Sequence, residues 1–161
     1  MFVFSVRSGT VKLFGLVALT LLLLAGALIF GTGDTVLASS DGGVSFEGVK
    51  TKEDRIAFIE SFGIKVDKES GEAKSFSMPE NFDRVIVGYN ELQKKQGLDL
   101  SKYQGKKVTR YTYKVENYDC DGEVYASLFI YRSRVIACDV SSADPEGFVI
   151  PLTLIDQSKL K

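Results

Sequence analysis

The 161-residue chain has no histidine, no tryptophan, only two cysteines and three prolines, and no marked excess of either charge. Without histidine it lacks the commonest general base and zinc ligand, and can form neither a Ser-His nor a Cys-His pair. Two cysteines cannot build a four-thiolate zinc site. Twenty Lys and Arg stand against 21 Asp and Glu, a formal net charge of -1, so no overall basic field draws the chain to nucleic acid. The sequence nominates no catalytic, cofactor-binding or metal-ligating residue and no cofactor. These gaps weigh against an enzyme.

What is present begins with an apolar run. Leu13 to Phe30, "LFGLVALTLLLLAGALIF", is 18 residues without a charge. At 1.5 Å per residue this approaches the roughly 30 Å of a bilayer core, and such a segment must be helical to satisfy its backbone in lipid. Arg7 and Lys12 precede it and Asp34 is the first charge after it. The bias predicts a single-pass anchor with the N-terminus inside and the rest outside. The alternative is a cleaved signal peptide, with Val36-x-Ala38 the better-placed cleavage motif, which would make the protein secreted. A lipoprotein signal is disfavoured, since Ala27 stands where the lipidated Cys would follow "LAG".

Residues 31–50 hold five Gly and three Ser and read as a flexible linker spanning roughly 25 Å r.m.s.. The three expected parts are therefore 1–30, cytoplasmic stub and anchor; 31–50, linker; and 51–161, an extracytoplasmic domain.

In that domain, Thr51 and Asp54 form an acidic variant of the capping box, and Ile56, Phe58, Ile59 and Phe62 follow at helical spacing up to Gly63. "IKV" and "KSFSM" read as short strands. Pro79 suits the first position of a second helix carrying Phe82, Val85, Ile86, Tyr89 and Leu92 on one stripe and ending at Gly97. From Lys106 the period becomes two. Asp121-Gly122 and Arg132-Ser133 predict hairpin turns, "DPEG" at 144–147 a type I turn, and Pro151 an edge strand. Helices first and a meander after give an α+β fold: two helices on one face of an antiparallel sheet of about four strands, in two layers.

The stretches "EDRIAFIESFGIKV", "MPENFDRVIVGYNELQKKQGLDLSKYQGKKVTRYTYKV" and "LFIYRSRVIACDV" resemble the uncharacterised domain-of-unknown-function family 4830 of Gram-positive bacteria, over roughly residues 52–150. The resemblance implies an N-terminally anchored or exported protein with one such domain. It implies no activity and no site residue. Ser133 departs from the glycine that the family carries in that turn.

"KYQGKKVTRYTYKV" interleaves cations with tyrosines. Nucleic-acid binding would need stacking and phosphate contacts on one side, whereas alternation puts Tyr111 and Tyr113 on one face and Arg110 and Lys114 on the other. The simpler reading is a half-buried strand with its tyrosines toward the core; an anionic envelope polymer contacted by Lys106, Lys107, Arg110 and Lys114 is the other. Cys120 reads as an exposed loop thiol and Cys138 as a small buried residue, placed opposite Ser127 and too far from Cys120 to bridge. Glu116, Asp119, Asp121 and Glu123 lack calcium-loop spacing and read as a solvated loop. Ser158-x-x-Lys161 lies at the end of the sequence, a poor place to hold catalytic geometry.

The sequence therefore predicts a membrane-anchored extracytoplasmic interaction or accessory module whose partners are the membrane and a protein or anionic envelope polymer, with no nucleic acid. The alternatives are a small envelope enzyme using carboxylates or Cys120, and a ligand-sensing domain acting through a membrane partner, its ligand held between helix and sheet.

Overall fold

The computed structural model describes residues 43–161; the expected anchor, the cleavage motif and most of the expected linker lie outside them. No helix among the described residues is long and apolar enough to cross a membrane.

A five-stranded antiparallel meander forms the middle of the domain, in the order β1-β2-β3-β4-β5. The strands are β1 (Glu72–Ser77), β2 (Lys107–Lys114), β3 (Val124–Tyr131), β4 (Arg134–Ser142) and β5 (Val149–Pro151). Helix α1 (Lys52–Glu60) precedes the sheet, and α2 (Arg84–Lys94) lies between β1 and β2 in sequence. The strand count is one more than expected. "KSFSM" contributes most of β1, while "IKV" makes only an isolated bridge, Val66 to Val115.

Cross-strand register divides the sheet into two faces. Tyr111, Leu128 and Cys138 stand opposite one another, as do Tyr113, Ala126 and Val140. This face packs with Ile56, Phe58 and Ile59 of α1. The other face carries Val108, Phe129 and Ala137, which cluster with Tyr89 of α2. The helices thus cover opposite faces, giving helix, sheet and helix rather than the expected two layers. The reason lies in β1. It takes one sheet edge between the two helices in sequence, and α2, which follows it, lies across the second face toward β4, where Gln93 Oε1 accepts from the Cys138 N–H.

Helix α1 starts as its sequence dictates. The Thr51 hydroxyl accepts from the Asp54 N–H at 3.1 Å, and the Asp54 carboxylate accepts from the Thr51 N–H at 2.8 Å. Helix α2 begins five residues later than expected from Pro79. Asp83 is its cap, accepting from the Ile86 N–H at 2.8 Å, and Asp99 similarly caps the 3-10 turn Leu100–Tyr103. A local side-chain acceptor for an orphan N–H outranks proline as a start signal. The buried residues of α2 are Asn90 and Gln93 rather than its apolar stripe. Gln93 Oε1 accepts from the Cys138 N–H at 2.9 Å, and Asn90 Oδ1 from the Leu100 N–H at 2.7 Å. Between β5 and Val135, whose N–H donates to the Phe46 carbonyl, the outer edge of β4 has no strand beside it, and the Gln93 side chain bonds the Cys138 N–H there.

Two turns differ in how they meet expectation. Arg132 and Ser133 adopt φ values of 47° and 66°, the left-handed pair of a two-residue hairpin, a conformation that glycine adopts without strain. Asp121-Gly122 does not close a tight hairpin. Lys114 pairs with Tyr125, and residues 116–123 leave the sheet as a longer loop. That loop is drawn off by the C-terminal segment: Asp119 N–H donates to Lys159 O at 2.7 Å, and Lys161 N–H to Asn117 O at 2.8 Å. The last residues are therefore tied down. Phe46 and Val49, which composition assigns to the linker, also pack into the α1-side core, and the Val135 N–H donates to Phe46 O at 2.8 Å.

Candidate functional site

The α2-side face is only partly covered. Where α2 overhangs it, a groove of about 560 Å³ opens between β1, the helix and the sheet, a size within the roughly 300–1,000 Å³ of small-molecule sites. Its walls are apolar. Phe76 packs edge-on against Phe129 with centroids 5.9 Å apart, and Tyr89 tilts on Phe129 at 5.8 Å. Met78, Val85 and Ile86 complete the near side and Val149 the far rim. Val85 remains 78% exposed and Val149 45%. The apolar stripe read in the α2 sequence is thus real, but its N-terminal end faces this groove rather than a filled core.

The groove floor is polar. Asp139, 5% exposed, accepts from the Tyr89 hydroxyl at 2.6 Å through Oδ2. Ser127 and Ser141 line the same floor, and Arg110 stands beside them. Burial pushes the Asp139 carboxyl up to about 6, against the bond from Tyr89, the Arg110 charge and the Ser141 hydroxyl. Burial first, and then the Asp139 charge, raise the Tyr89 phenol well above its ordinary range.

A β-bulge puts Asp139 there. With an unbroken register from the Arg132-Ser133 turn, Cys138 would face Ser127. Instead the register shifts between Phe129 and Ile130, and Leu128 pairs with Cys138 and Ser127 with Asp139. Ile136 is the extra residue. It and Ala137 both join the α2-side cluster, so Asp139 and Ser141 follow on that face while Cys138 and Val140 turn to α1. Without the bulge, the alternation would bury the Asp139 carboxylate in the apolar α1 core.

The residues weighed from sequence are scattered. Cys138 is buried and free, its thiol pushed far up by burial. Cys120 is free and half-buried in the loop. Asp119 pairs with Lys161, and Glu123 with Lys114 and the Tyr125 hydroxyl, so the loop acids do not converge. The Ser158 hydroxyl donates to Asp156 at 2.7 Å, which leaves Ser158 and Lys161 engaged separately. Among the cations of β2, Lys107 shares the face of Tyr111 while Arg110 and Lys114 share the groove face. Tyr113 is core, and Tyr111 is half-buried beneath the Arg55 guanidinium, 3.8 Å from its ring centroid. Sequence reasoning missed Asp139, Tyr89, Ser127 and Ser141. The one visible signal was a lone acid inside the apolar strand "VIACDV".

No curated protein and no solved structure matches this chain. The sequence pattern of a family described as Domain of unknown function (DUF4830) matches residues 58–140, a span that runs from the last turn of α1 through Val140 and so contains α2, both sheet faces and most of the groove. With just over half of the 161 residues inside that match, the chain belongs to the DUF4830 family.

Proposed function

We propose that this chain is a single-pass membrane protein presenting an extracytoplasmic binding module, with the groove beneath α2 as its binding site. The observation that carries the reading is the groove itself: aromatic and aliphatic walls, two exposed valines on its rim, and a compact polar floor. Large exposed apolar groups gathered around a concavity mark binding surfaces. The ligand-sensing alternative uses the same groove and adds a membrane partner. A carboxylate enzyme has one feature in its favour, the raised Asp139 carboxyl in a cleft. Tyr89 and Ser141 already engage that carboxylate, which fits a fixed floor better than a free base.

Val85→Glu tests the groove. Val85 sits exposed in the first turn of α2, where a carboxylate suits the helix dipole, so the fold should be unaffected. Full-length wild-type protein isolated from its own membranes should carry a small-molecule adduct in native mass spectrometry, and the variant should lose it. An adduct retained by the variant, or none in either, would sink the reading.

The membrane orientation is supported by Arg7 and Lys12 ahead of the apolar run. An impermeant maleimide should label Cys120 in intact cells. Cys138 has 0% exposure, so the signal reports Cys120 alone. Labelling that appears only after lysis, on a thiol shown to react, would overturn the orientation.

A further inference from the structure

The rim of the groove carries a charge arrangement that folding does not require. Lys74 of β1 lies directly opposite Arg110 of β2. Like charges in that position repel and destabilise a sheet. Among the described residues neither forms a salt bridge, whereas Lys114, on the same face of β2, pairs with Glu123. Nor is Arg110 consumed by Asp139, whose carboxylate is engaged by Tyr89.

The position of this cationic pair is as informative as its charge. One pleat along β1 from Lys74 is Phe76, and directly across β3 from Arg110 is Phe129. The groove face therefore passes from two unpaired cations to an aromatic wall in one step, and the apolar wall continues under α2 to Ile86. A ligand matching that surface has an anionic end and a hydrocarbon body. Arg110 presents a planar fork suited to a carboxylate. Asp139, close enough to Arg110 to feel its charge, disfavours a doubly charged head.

We propose that the groove binds a free single-chain amphiphile with a carboxylate head, the head held by Arg110 and Lys74 and the chain lying between Phe76, Phe129 and α2. This rests on the groove being the binding site, as proposed above.

The test uses the full-length chain in phosphatidylcholine nanodiscs, a photoreactive diazirine dodecanoate, and peptide mapping of the crosslinks. The expected result is labelling at Phe76, Met78, Ile86 or Phe129. Arg110→Gln should reduce it about tenfold at sub-saturating probe, and Lys74→Gln should reduce it less, as loss of a point charge rather than a fork. Both residues are exposed, and unchanged melting of each variant establishes that the fold is intact. A diazirine dodecanol of the same chain length should label the groove weakly and respond to neither substitution. If the alcohol labels as strongly as the acid, the carboxylate assignment fails while the groove remains a binding site. If dodecyl phosphate displaces the probe more effectively than dodecanoate, the head is a phosphate and the assignment again fails. If no probe labels the groove, both the assignment and the binding reading fall.

Discussion

Tyr113→Ala should lower the unfolding free energy by about 3–5 kcal/mol, the range for truncating a buried aromatic. Tyr113 is 1% exposed in the α1-side core. Its ring is closed over by backbone: a Cβ added at Gly71 would come within 2.7 Å of Tyr113 Cε1, so the chain entering β1 lies flat against the ring. Its hydroxyl accepts from Arg55 Nε at 3.0 Å, and Arg55 also stacks on Tyr111. The tyrosine therefore ties α1, the β1 entry and β2 together. Tyr113→Phe removes only the Arg55 bond and should cost about 0.5–1.5 kcal/mol. Tyr111→Ala should fall between the two because that ring is half-buried, and Arg110→Ala should stay within about 0.5 kcal/mol, as surface changes do. Urea midpoints of the four variants give the ranking. If Arg110→Ala proved costlier than Tyr113→Ala, the strand would face the other way, with its tyrosines displayed.

The sequence was most readable where a local interaction decides the structure. The Thr51–Asp54 capping box, the Arg132-Ser133 turn and the Asp144–Gly147 turn, where the Gly147 N–H donates to Asp144 O at 2.9 Å, all involve residues within a few positions of one another, and Pro151 in the edge strand β5 needs only its own missing N–H. The period-two alternation likewise identified β2 and β3 and assigned Tyr113 to the core. What the sequence did not convey depends on distant partners. Asn90 and Gln93 look like solvent-facing helix positions until Leu100 and the open edge of β4 supply N–H groups for them to accept. The tight turn expected at Asp121-Gly122 yields to a C-terminal segment nearly forty residues away that pairs with the loop. The two-layer expectation failed because strand pairing, not helix pattern, places β1 at the edge and sends the helices to opposite faces.

The candidate site was hidden for a related reason. Alternation carried through "VIACDV" groups Ile136 with Cys138 and Val140, and leaves Asp139 as one more outward acid. The extra residue turns Ile136 itself away from the α1 side that alternation gives it, while Cys138 and Val140 keep that side and Asp139 the other; alternation does not show that α2 roofs the face on which Asp139 lies. Bulges carry no obligatory sequence mark, and this one has neither glycine nor proline to announce it. The apolar stripe of α2 was visible, but a stripe reads the same whether it meets a filled core or roofs a groove. Only the exposure of Val85 at its N-terminal end separates the two.

Asp139→Asn should make the protein more stable at pH 7.5 by about 1–3 kcal/mol and remove a fall in stability between about pH 4 and pH 6. The sign follows from proton counts. The Asp139 carboxyl titrates near 6 in the folded protein against 3.8 as its ordinary value. Between those pH values the folded state holds a proton that the unfolded state has released, so stability declines as pH rises and levels off above about 6. The difference between about 6 and 3.8 corresponds to about 3 kcal/mol as an upper figure. Asparagine stays neutral throughout, and its carbonyl can still accept from the Tyr89 hydroxyl. Carboxylates held below their ordinary range pull the opposite way, at lower pH. Asp99, lowered to about 2 by Asn90 and Ser101, adds stability that is lost as pH falls toward that value. Subtracting the variant's curve from the wild-type curve removes their contribution and leaves Asp139 alone. Denaturant unfolding of both proteins from pH 3.5 to 8 provides the comparison: parallel curves would place Asp139 in contact with water, and a variant weaker at pH 7.5 would mean that Arg110 holds the ionised form. A gain from this one substitution would show the fold tolerating a buried acid that its own stability does not need, as expected where the acid serves the groove above it.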